Sequence, residues 1–356
     1  MNAAPVLLIT RDDLLLDDLL RLAAAAGVEL DVAHDTTSAL RSWSAAAAVL
    51  VGADQADVVG LQRPPRRDEV HVLSRGAPGD GLFRAALAVG AQDVVELPAS
   101  EAWMVELLTD VVDGASRRAW TLGVVPGAGG AGSTTFACAL AVTAARRETT
   151  VLIDLDPLGP GVDRVVGLDD SGGVRWDALL AASGRLGSRS LREALPHLGG
   201  LAVLGWGNGS GGPLEAASVR EVLSAARRGH EVVVVDLPRV LDEAAVEVAA
   251  RCDQLLVVAG ATVPAVSSAA KVAARLRELN DRLGAVVCRG SASLPADQVA
   301  RALGLPLVAQ LGRQRHLAED VDLGLGPVRS SRSPLARAAR GVLGRPRLTR
   351  PNGVAA

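Results

Sequence analysis

The sequence has almost no lysine and very little cysteine. Lys271 is the one lysine among 37 basic residues, and all the others are arginine. The three cysteines, Cys138, Cys252 and Cys288, lie far apart and form no CxxC pair, which excludes a disulfide scaffold and a cysteine-rich metal centre. We expect them to be reduced core residues of a cytoplasmic protein.

Long apolar runs are also missing. No segment approaches the roughly 18 consecutive apolar residues that cross a bilayer. Residues 1–5 show no basic stretch ahead of an apolar one, so no signal peptide is predicted either. The 356 residues are 49% apolar, enough for two or three globular domains. The net charge of −3 is unevenly spread: residues 1–54 hold eight acidic residues against three arginines, whereas no acidic residue follows Asp322.

Short apolar runs alternate with amphipathic segments along the chain. This alternation is typical of an α/β fold with a parallel sheet and right-handed crossovers. The series breaks at the polar residues 114–118 and restarts at Trp120. We therefore predict two doubly wound domains, over residues 1–114 and 120–345, with a linker over 115–119 and a basic tail over 346–356. In the second domain, residues 232–235 and 255–258 are apolar throughout, as in strands covered on both faces.

A glycine-rich segment at residues 127–135 joins a predicted strand to a helix that begins near Ser133. Glycines allow a tight turn and a close approach of the backbone to a ligand. The amide groups then converge at the positive end of the helix, which suits phosphate. The segment fits two phosphate-binding patterns, and a glycine-rich turn without a ligand is a third interpretation.

The first pattern is the dinucleotide fingerprint GxGxxG, met by Gly127, Gly129 and Gly132. Asp154 and Asp156 follow about twenty residues on, where a dinucleotide-binding fold places its ribose-binding acid.

The second pattern is the P-loop GxxxxGK[ST], met by Gly127, Gly132 and Thr134. Ser133 stands in place of its lysine. Thr134 occupies the position of the hydroxyl that ligates Mg²⁺, and Asp236 ends a buried strand where an acid can hold the metal. A dinucleotide fold does not need that acid, so the P-loop interpretation is favoured.

Three segments of the second domain resemble the MinD/ParA family of P-loop ATPases. AGGAGSTT at 128–135 is similar to the deviant Walker A motif KGGxGKTT, VLIDLDP at 151–157 to the switch I strand, and VVVVDLPR at 232–239 to the Walker B strand. With a receiver-like domain in front, the chain resembles CpaE-type pilus-assembly and localisation proteins. Its resemblance is greatest to their actinobacterial septum-site-determining branch.

The resemblance implies a set of site residues. Asp156 would orient the attacking water, Asp236 and Thr134 would hold Mg²⁺, and Asp154 would lie close to the metal. It also implies ATP or ADP with Mg²⁺ as the ligand. The nucleotide would contact residues of the glycine segment and of a later strand end: Gly127, Gly129, Gly130, Ala131, Gly132, Ser133, Thr134, Thr135, Cys288 and Arg289.

The lysines of the family motif are missing. The intersubunit lysine falls at Ala128, the phosphate-binding lysine at Ser133 and the adenine-contacting Asn at Cys288. Each lost charge-assisted hydrogen bond weakens binding by about 1.5–3 kcal/mol. Hydrolysis suffers more, because these cations neutralise charge on the transferred phosphate. Lys271 lies in a predicted helix far downstream, so we expect weak nucleotide binding and weak or absent ATPase activity.

The front domain resembles a CheY-like phospho-receiver that lacks its acceptor. Asp12 and Asp13 stand where a receiver has its acids. Gly52 occupies the position of the phosphorylated aspartate, and Asp54 comes two residues late. Leu and Pro at 97–98 replace the Lys-Pro pair. The resemblance therefore implies a pseudo-receiver used for docking.

These features and the resemblance together predict a regulatory or positioning protein. It would act in septum-site determination or in localising a pilus or secretion apparatus, as a homodimer with protein partners of that machinery, recruited to the membrane, pole or septum. The alternatives are a slow ATPase switch that dimerises with ATP and a dinucleotide-dependent enzyme. The arginine-rich residues 329–350 are interpreted as a packed final helix and a solvated tail, ahead of weak lipid contact, with nucleic acid the least favoured partner.

Overall fold

The computed structural model describes residues 5–33, 35–67, 69–112, 119–181, 186–206, 212–289 and 294–345. They form two compact units, one on each side of residues 113–118. Most of the predicted linker and the whole predicted tail, 346–356, lie outside the described residues.

The first unit is a parallel sheet of five strands in the order β2-β1-β3-β4-β5, with helices joining successive strands. This is the doubly wound order of CheY. Its strands are β1 Val6–Ile9, β2 Leu30–Ala33, β3 Ala48–Gly52, β4 Val70–Arg75 and β5 Asp93–Leu97. Its helices are α1 Asp13–Ala26, α2 Thr36–Ser42, α3 Ala53–Leu61, α4 Asp80–Val89 and α5 Glu101–Val112.

The second unit is an eight-stranded sheet in the order β13-β12-β11-β6-β10-β7-β9-β8, in which β8 alone is antiparallel to its neighbour. Its strands are β6 Trp120–Pro126, β7 Thr150–Asp154, β8 His197–Leu198, β9 Leu201–Leu204, β10 Val232–Asp236, β11 Gln254–Gly260, β12 Leu283–Cys288 and β13 Leu307–Leu311. Its helices are α6 Ser133–Ala144, α7 Val162–Val166, α8 Trp176–Ala181, α9 Ser188–Ala194, α10 Ala216–Gly229, α11 Glu243–Arg251, α12 Val263–Arg277, α13 Ala296–Leu303, α14 Leu317–Asp322 and α15 Pro334–Leu343.

Helices cover both faces of the second sheet, as the apolar runs predict. Every residue of β7 and β10 is buried. Helix α6 is also buried almost all round, because it packs on the centre of the sheet and under α15. Parallel pairing places the carboxyl ends of β6, β7 and β10 at one edge, with β10 between the other two strands. The segments that follow these three strands therefore meet there.

The final helix, α15, packs against α6 and β13. It buries Leu335, Ala336, Ala339 and Val342, which confirms the prediction of a packed final helix. In the part of the chain that the structure describes, no helix has the length and apolarity to cross a membrane.

Candidate functional site

The turn between β6 and α6 has the shape of a phosphate-binding loop. Gly130 and Gly132 adopt φ angles of +70° and +84°, which favour glycine. A side chain at Gly129 or Gly130 would meet nothing within 4 Å, so this part of the turn is open. Gly132 is the N-cap of α6 and offers no side chain to the first amide groups of the helix. Those amides have no acceptor within the helix and remain available to an anion.

The base of the turn is fixed by its neighbours. The Gly127 amide donates to the Val258 carbonyl at 2.8 Å, and a Cβ at Gly127 would lie 2.6 Å from the Ala269 Cβ. On the other side, the Cys288 thiol donates to the Ala131 carbonyl at 2.9 Å. Burial raises the pKa of Cys288 to about 11, so the thiol keeps its proton and remains a donor. Strands β11 and β12 and helix α12 thus hold the turn open before any ligand arrives.

No lysine lies in this turn. Ser133 is buried, with 7% exposure, at the position of the phosphate-binding lysine. Lys271 is exposed on α12, the helix whose Ala269 packs on Gly127. Arg239 and Arg289 follow β10 and β12 with exposed side chains. The Arg289 amide donates to the Leu311 carbonyl at 3.0 Å, which ties that residue to the neighbouring strand.

Two buried carboxyl groups lie side by side next to the turn. Asp154 on β7 and Asp236 on β10 are register partners, with 1% and 2% exposure. Burial raises the pKa of Asp154 to about 7. Burial, and then the charge of Asp154, raises the pKa of Asp236 well above its ordinary value, although interaction with the Thr134 hydroxyl lowers it. The structure thus brings Thr134, Asp154 and Asp236 together, as the motifs predict.

The carboxyl group of Asp154 is occupied by backbone donors. Its two oxygens accept from the Asp156 amide at 2.9 Å and from the Val162 amide at 3.1 Å. Its backbone carbonyl accepts from the Trp176 indole at 2.7 Å. Asp156 in turn accepts from the Leu158 amide at 3.1 Å. Asp154 therefore shapes the segment after β7 and so positions Asp156.

Asp236 differs from Asp154, because its Oδ1 atom is buried without a hydrogen-bond partner among the described residues. A buried acceptor left unpaired costs about 1–3 kcal/mol, so such an atom in a native protein calls for a ligand, water or ion. Carboxylate and hydroxyl oxygens are ligands that Mg²⁺ prefers. Asp236 and Thr134 therefore fit a Mg²⁺ ion at this edge, where it would neutralise phosphate charge.

An ion pair that the sequence does not reveal supports the same segment. Arg175 donates to the Asp163 carboxylate at 3.2 Å, and side-chain exposures are 12% and 7%. The same guanidinium donates to the carbonyls of Leu168 and Ser171 at 3.0 and 3.2 Å. Twelve residues separate the pair, a spacing outside the helical i,i+3 and i,i+4 patterns.

The first unit has no acceptor aspartate at the end of β3. A Cβ at Gly52 would collide with Asp54 Oδ1 and Thr10 Oγ1. Asp54 accepts from the Thr10 hydroxyl and the Arg11 amide, each at 2.8 Å. Asp12 accepts from two amides of the first turn of α1 and caps that helix. Asp12 and Asp54 therefore have local structural partners.

The order of the strands in the sheet decides between the dinucleotide-binding and the P-loop interpretations of the glycine-rich segment. In a dinucleotide fold of order 3-2-1-4-5-6, the strand that follows the glycine helix lies beside the strand that precedes it. Here β10 lies between β6 and β7. The strand between them carries Asp236, the acid that the P-loop interpretation requires.

Residues 9–119 match the family of Rv3660c-like, CheY-like N-terminal domains. The Mycobacterium tuberculosis protein Rv3660c is 39% identical over 336 residues, which cover 92% of this chain and 94% of Rv3660c. The chain belongs to the Rv3660c-like family. The match to Rv3660c extends through both units.

Solved structures identify the fold of that second unit. A ParA family ATPase from Chlorobium tepidum has a TM-score of 0.55 at 16% identity, covering 64% of this chain and 98% of its own. The septum site-determining protein MinD of Pyrococcus horikoshii, solved with Mg-ADP, has a TM-score of 0.53 at 18% identity, covering 62% and 93%. The family match and these likenesses confirm the predicted architecture of this Rv3660c-like protein, a CheY-like domain followed by a domain with the fold of MinD and ParA ATPases.

Proposed function

We propose that this Rv3660c-like protein is a regulatory or positioning protein that binds Mg²⁺-nucleotide weakly and hydrolyses it very slowly or not at all. The observation that carries the proposal is an open turn of amides without lysine, beside Thr134 and Asp236. The turn and the metal ligands support binding. The missing cations argue against fast transfer of a phosphate group.

In this proposal the phosphates lie on the amides from Gly129 to Thr135, and Thr134 and Asp236 hold Mg²⁺. The base contacts the end of β12 at Cys288 and Arg289. Asp156 would orient the attacking water. A Mg²⁺ ion held there would supply positive charge beside the phosphates, and the amide dipoles of the turn would add to it.

Exposed apolar side chains support dimerisation across the same edge. Leu158, Val240 and Val263 are 92%, 77% and 71% exposed. They follow β7, β10 and β11, at the carboxyl edge of the sheet where the glycine turn lies. Apolar residues gathered at one edge are a common mark of a protein interface. A second copy covering this edge would bury them and would exclude water from the nucleotide.

The cellular role rests on the fold and the family resemblance. MinD of Pyrococcus horikoshii is described as a septum site-determining protein, and an Aquifex aeolicus MinD, with a TM-score of 0.51 at 17% identity, was solved in a complex with MinC. We propose by analogy a role in septum-site determination or in localising a pilus or secretion apparatus. Protein partners of that machinery would bind the dimer, and the CheY-like unit would serve as a docking module that is not phosphorylated.

A titration and an activity assay test this function together. The protein should bind Mg²⁺-ATP and Mg²⁺-ADP weakly in calorimetry, bind no NAD(P), and release phosphate at the background rate. Phosphate release well above background that disappears in Asp156→Ala, but persists in the exposed control Asp170→Ala, would contradict the proposal. Tight NAD(P) binding would instead favour a dinucleotide-dependent enzyme.

A slow ATPase switch is the second candidate, and Asp236 favours it. An orphaned carboxylate oxygen beside Thr134 is the arrangement that holds a metal in working P-loop enzymes. In that case nucleotide would change the oligomeric state, and the dimer would revert to monomer as ATP is consumed.

A further inference from the structure

A groove lies at one edge of the second sheet, the edge opposite β8. Strand β13 ends the sheet order on this side, and it pairs with β12 alone among the described strands. Helix α15 packs beside β13, and the two elements border a groove of about 510 Å³. Its walls include Ala309, Gln310 and Gly312 from the strand and its end.

One face of α15 forms the other wall of the groove. Pro334, Arg337, Ala338 and Gly341 line it, a spacing that keeps all four on one side of a helix. A side chain added at Gly341 would meet nothing within 4 Å. The small residues therefore leave open space beside β13.

The groove is positively charged. Arg313 and Arg337 line it, both side chains are exposed, and neither has a hydrogen bond or ion pair with the described residues. Within the described part of the chain, no acidic residue lines the groove. Residues 346–356, which follow α15, carry two arginines and no acid, so they do not complement this charge.

Arg345 shows that carbonyls of this strand accept hydrogen bonds from outside the sheet. Its guanidinium donates to the Leu307 and Val308 carbonyls at 2.9 and 3.1 Å. It thus caps the first part of β13 and leaves the part from Ala309 onward facing the groove. An exposed strand edge is a ready template for a further strand.

We propose that the groove between β13 and α15 binds an extended acidic peptide segment of a partner protein, which adds to β13 as a further strand. Backbone hydrogen bonds to the edge supply affinity, and carboxylates paired with Arg313 and Arg337 supply specificity. Small apolar side chains on the other face of the peptide occupy the space beside Ala338 and Gly341. A second copy of this chain fits less well, because edge-to-edge pairing brings two cationic rims together.

A fluorescence-anisotropy titration of the full chain tests the proposal. The probe is a fluorescein-labelled octapeptide of alternating Glu and Val, at low salt. Two control peptides carry Lys in place of Glu, or N-methyl groups on alternate amides. We expect the Glu-Val peptide to bind at least about tenfold more tightly than either control, since each control loses charge pairing or backbone hydrogen bonds.

Two protein variants separate the groove from a general basic surface. R313E/R337E should reverse the preference, so that the Lys-Val peptide binds more tightly. Gly341→Leu should fill the groove and weaken Glu-Val binding at least about tenfold, with an unchanged or raised melting temperature because leucine favours a helix more than glycine.

Several outcomes would overturn the proposal. No binding of the Glu-Val peptide is one, and equal binding of the three peptides is another. Displacement by inorganic phosphate as effectively as by unlabelled peptide would show a simple anion site. A DNA duplex that binds more tightly than the peptide, and loses binding in R313E/R337E, would make the groove a nucleic-acid site. None of these outcomes depends on nucleotide binding at the glycine turn, so the two proposals can fail separately.

Discussion

At the scale of single residues, the site combines two buried carboxyl groups with the loss of two cations. Asp154 and Asp236 are buried side by side, whereas Ala128 and Ser133 replace the two cations that the motif normally supplies. Burial and mutual repulsion favour the protonated form of such a pair. A bound Mg²⁺ would favour the charged form, so metal, proton and nucleotide are linked at this edge of the sheet.

This linkage predicts a pH dependence of stability. Burial raises the pKa of Asp154 to about 7 in the folded state, above the ordinary value of 3.8 for an aspartate. The folded state therefore holds the proton more tightly than the unfolded state. Protonated Asp154 therefore stabilises the folded state. This stabilisation is complete at pH values below the pKa of Asp154 in the unfolded chain, and it is lost as the pH rises through about 7. A tenfold difference in proton affinity corresponds to about 1.4 kcal/mol, so the free energy of unfolding falls by a few kcal/mol at most.

Urea unfolding at pH 5.5 and pH 8 measures this change. The free energy of unfolding should fall between pH 5.5 and pH 8, and less so in Asp236→Asn, which removes a carboxyl group whose own pKa is raised by burial and by the charge of Asp154. Added Mg²⁺ should reduce the fall in the wild type. The exposed control Asp170→Asn should behave as the wild type does. Equal stability of the wild type at both pH values would contradict this account.

At the scale of elements, the strand ends and the helices that follow them decide what each unit can bind. In the second unit, Gly132 is the N-cap of α6 but has no side chain to accept from the first amides of the helix, so those amides stay available. In the first unit, β3 runs directly into α3, and Asp54 in the first turn of that helix accepts hydrogen bonds from Thr10 and Arg11. The end of β3, where a receiver has its phosphorylated aspartate, is thus filled by the side chains of Asp54 and Thr10 in this chain.

We therefore expect no phosphorylation of the first unit. Incubation with acetyl phosphate and Mg²⁺ should leave the intact mass unchanged, because Gly52 has no carboxylate and Asp54 is held by the Thr10 hydroxyl and the Arg11 amide. Gly52→Asp alone should not restore the reaction, since its side chain would collide with Asp54 and Thr10. An aspartyl-phosphate at Asp54, found by peptide mapping, would show that this interpretation is wrong.

The elements differ in how far the sequence predicts them. Strands β7 and β10 follow from short, uninterrupted apolar runs, and helix α6 follows from the glycine turn that marks its start. Helix α3 is not predicted, because its apolar residues have a weak helical period and no loop separates it from β3. Strands β8 and β9 are not predicted either. Each is four residues or shorter, and glycines flank β9, so local pattern gives no firm signal.

At the scale of the whole molecule, the sequence predicts the architecture better than the contacts. The order of motifs predicts a receiver-like unit before a P-loop unit, and the family match and the structural likenesses confirm it. The Asp163–Arg175 ion pair and the Cys288–Ala131 hydrogen bond join residues from different elements, so only the folded chain reveals them. The groove at β13 depends likewise on which strand ends the sheet.

We infer that the glycine turn still binds phosphate although it lacks the lysine of the P-loop motif. Calorimetry with Mg²⁺-ATP tests it most directly, comparing the wild type with Ser133→Lys and with Ser133→Met, a control of similar length without charge. Restoring the charge should tighten binding by about 10- to 150-fold, because a charge-assisted hydrogen bond contributes about 1.5–3 kcal/mol, and the Met variant should bind no more tightly than the wild type. Wild-type affinity equal to that of Ser133→Lys, or no binding by either protein, would contradict the account.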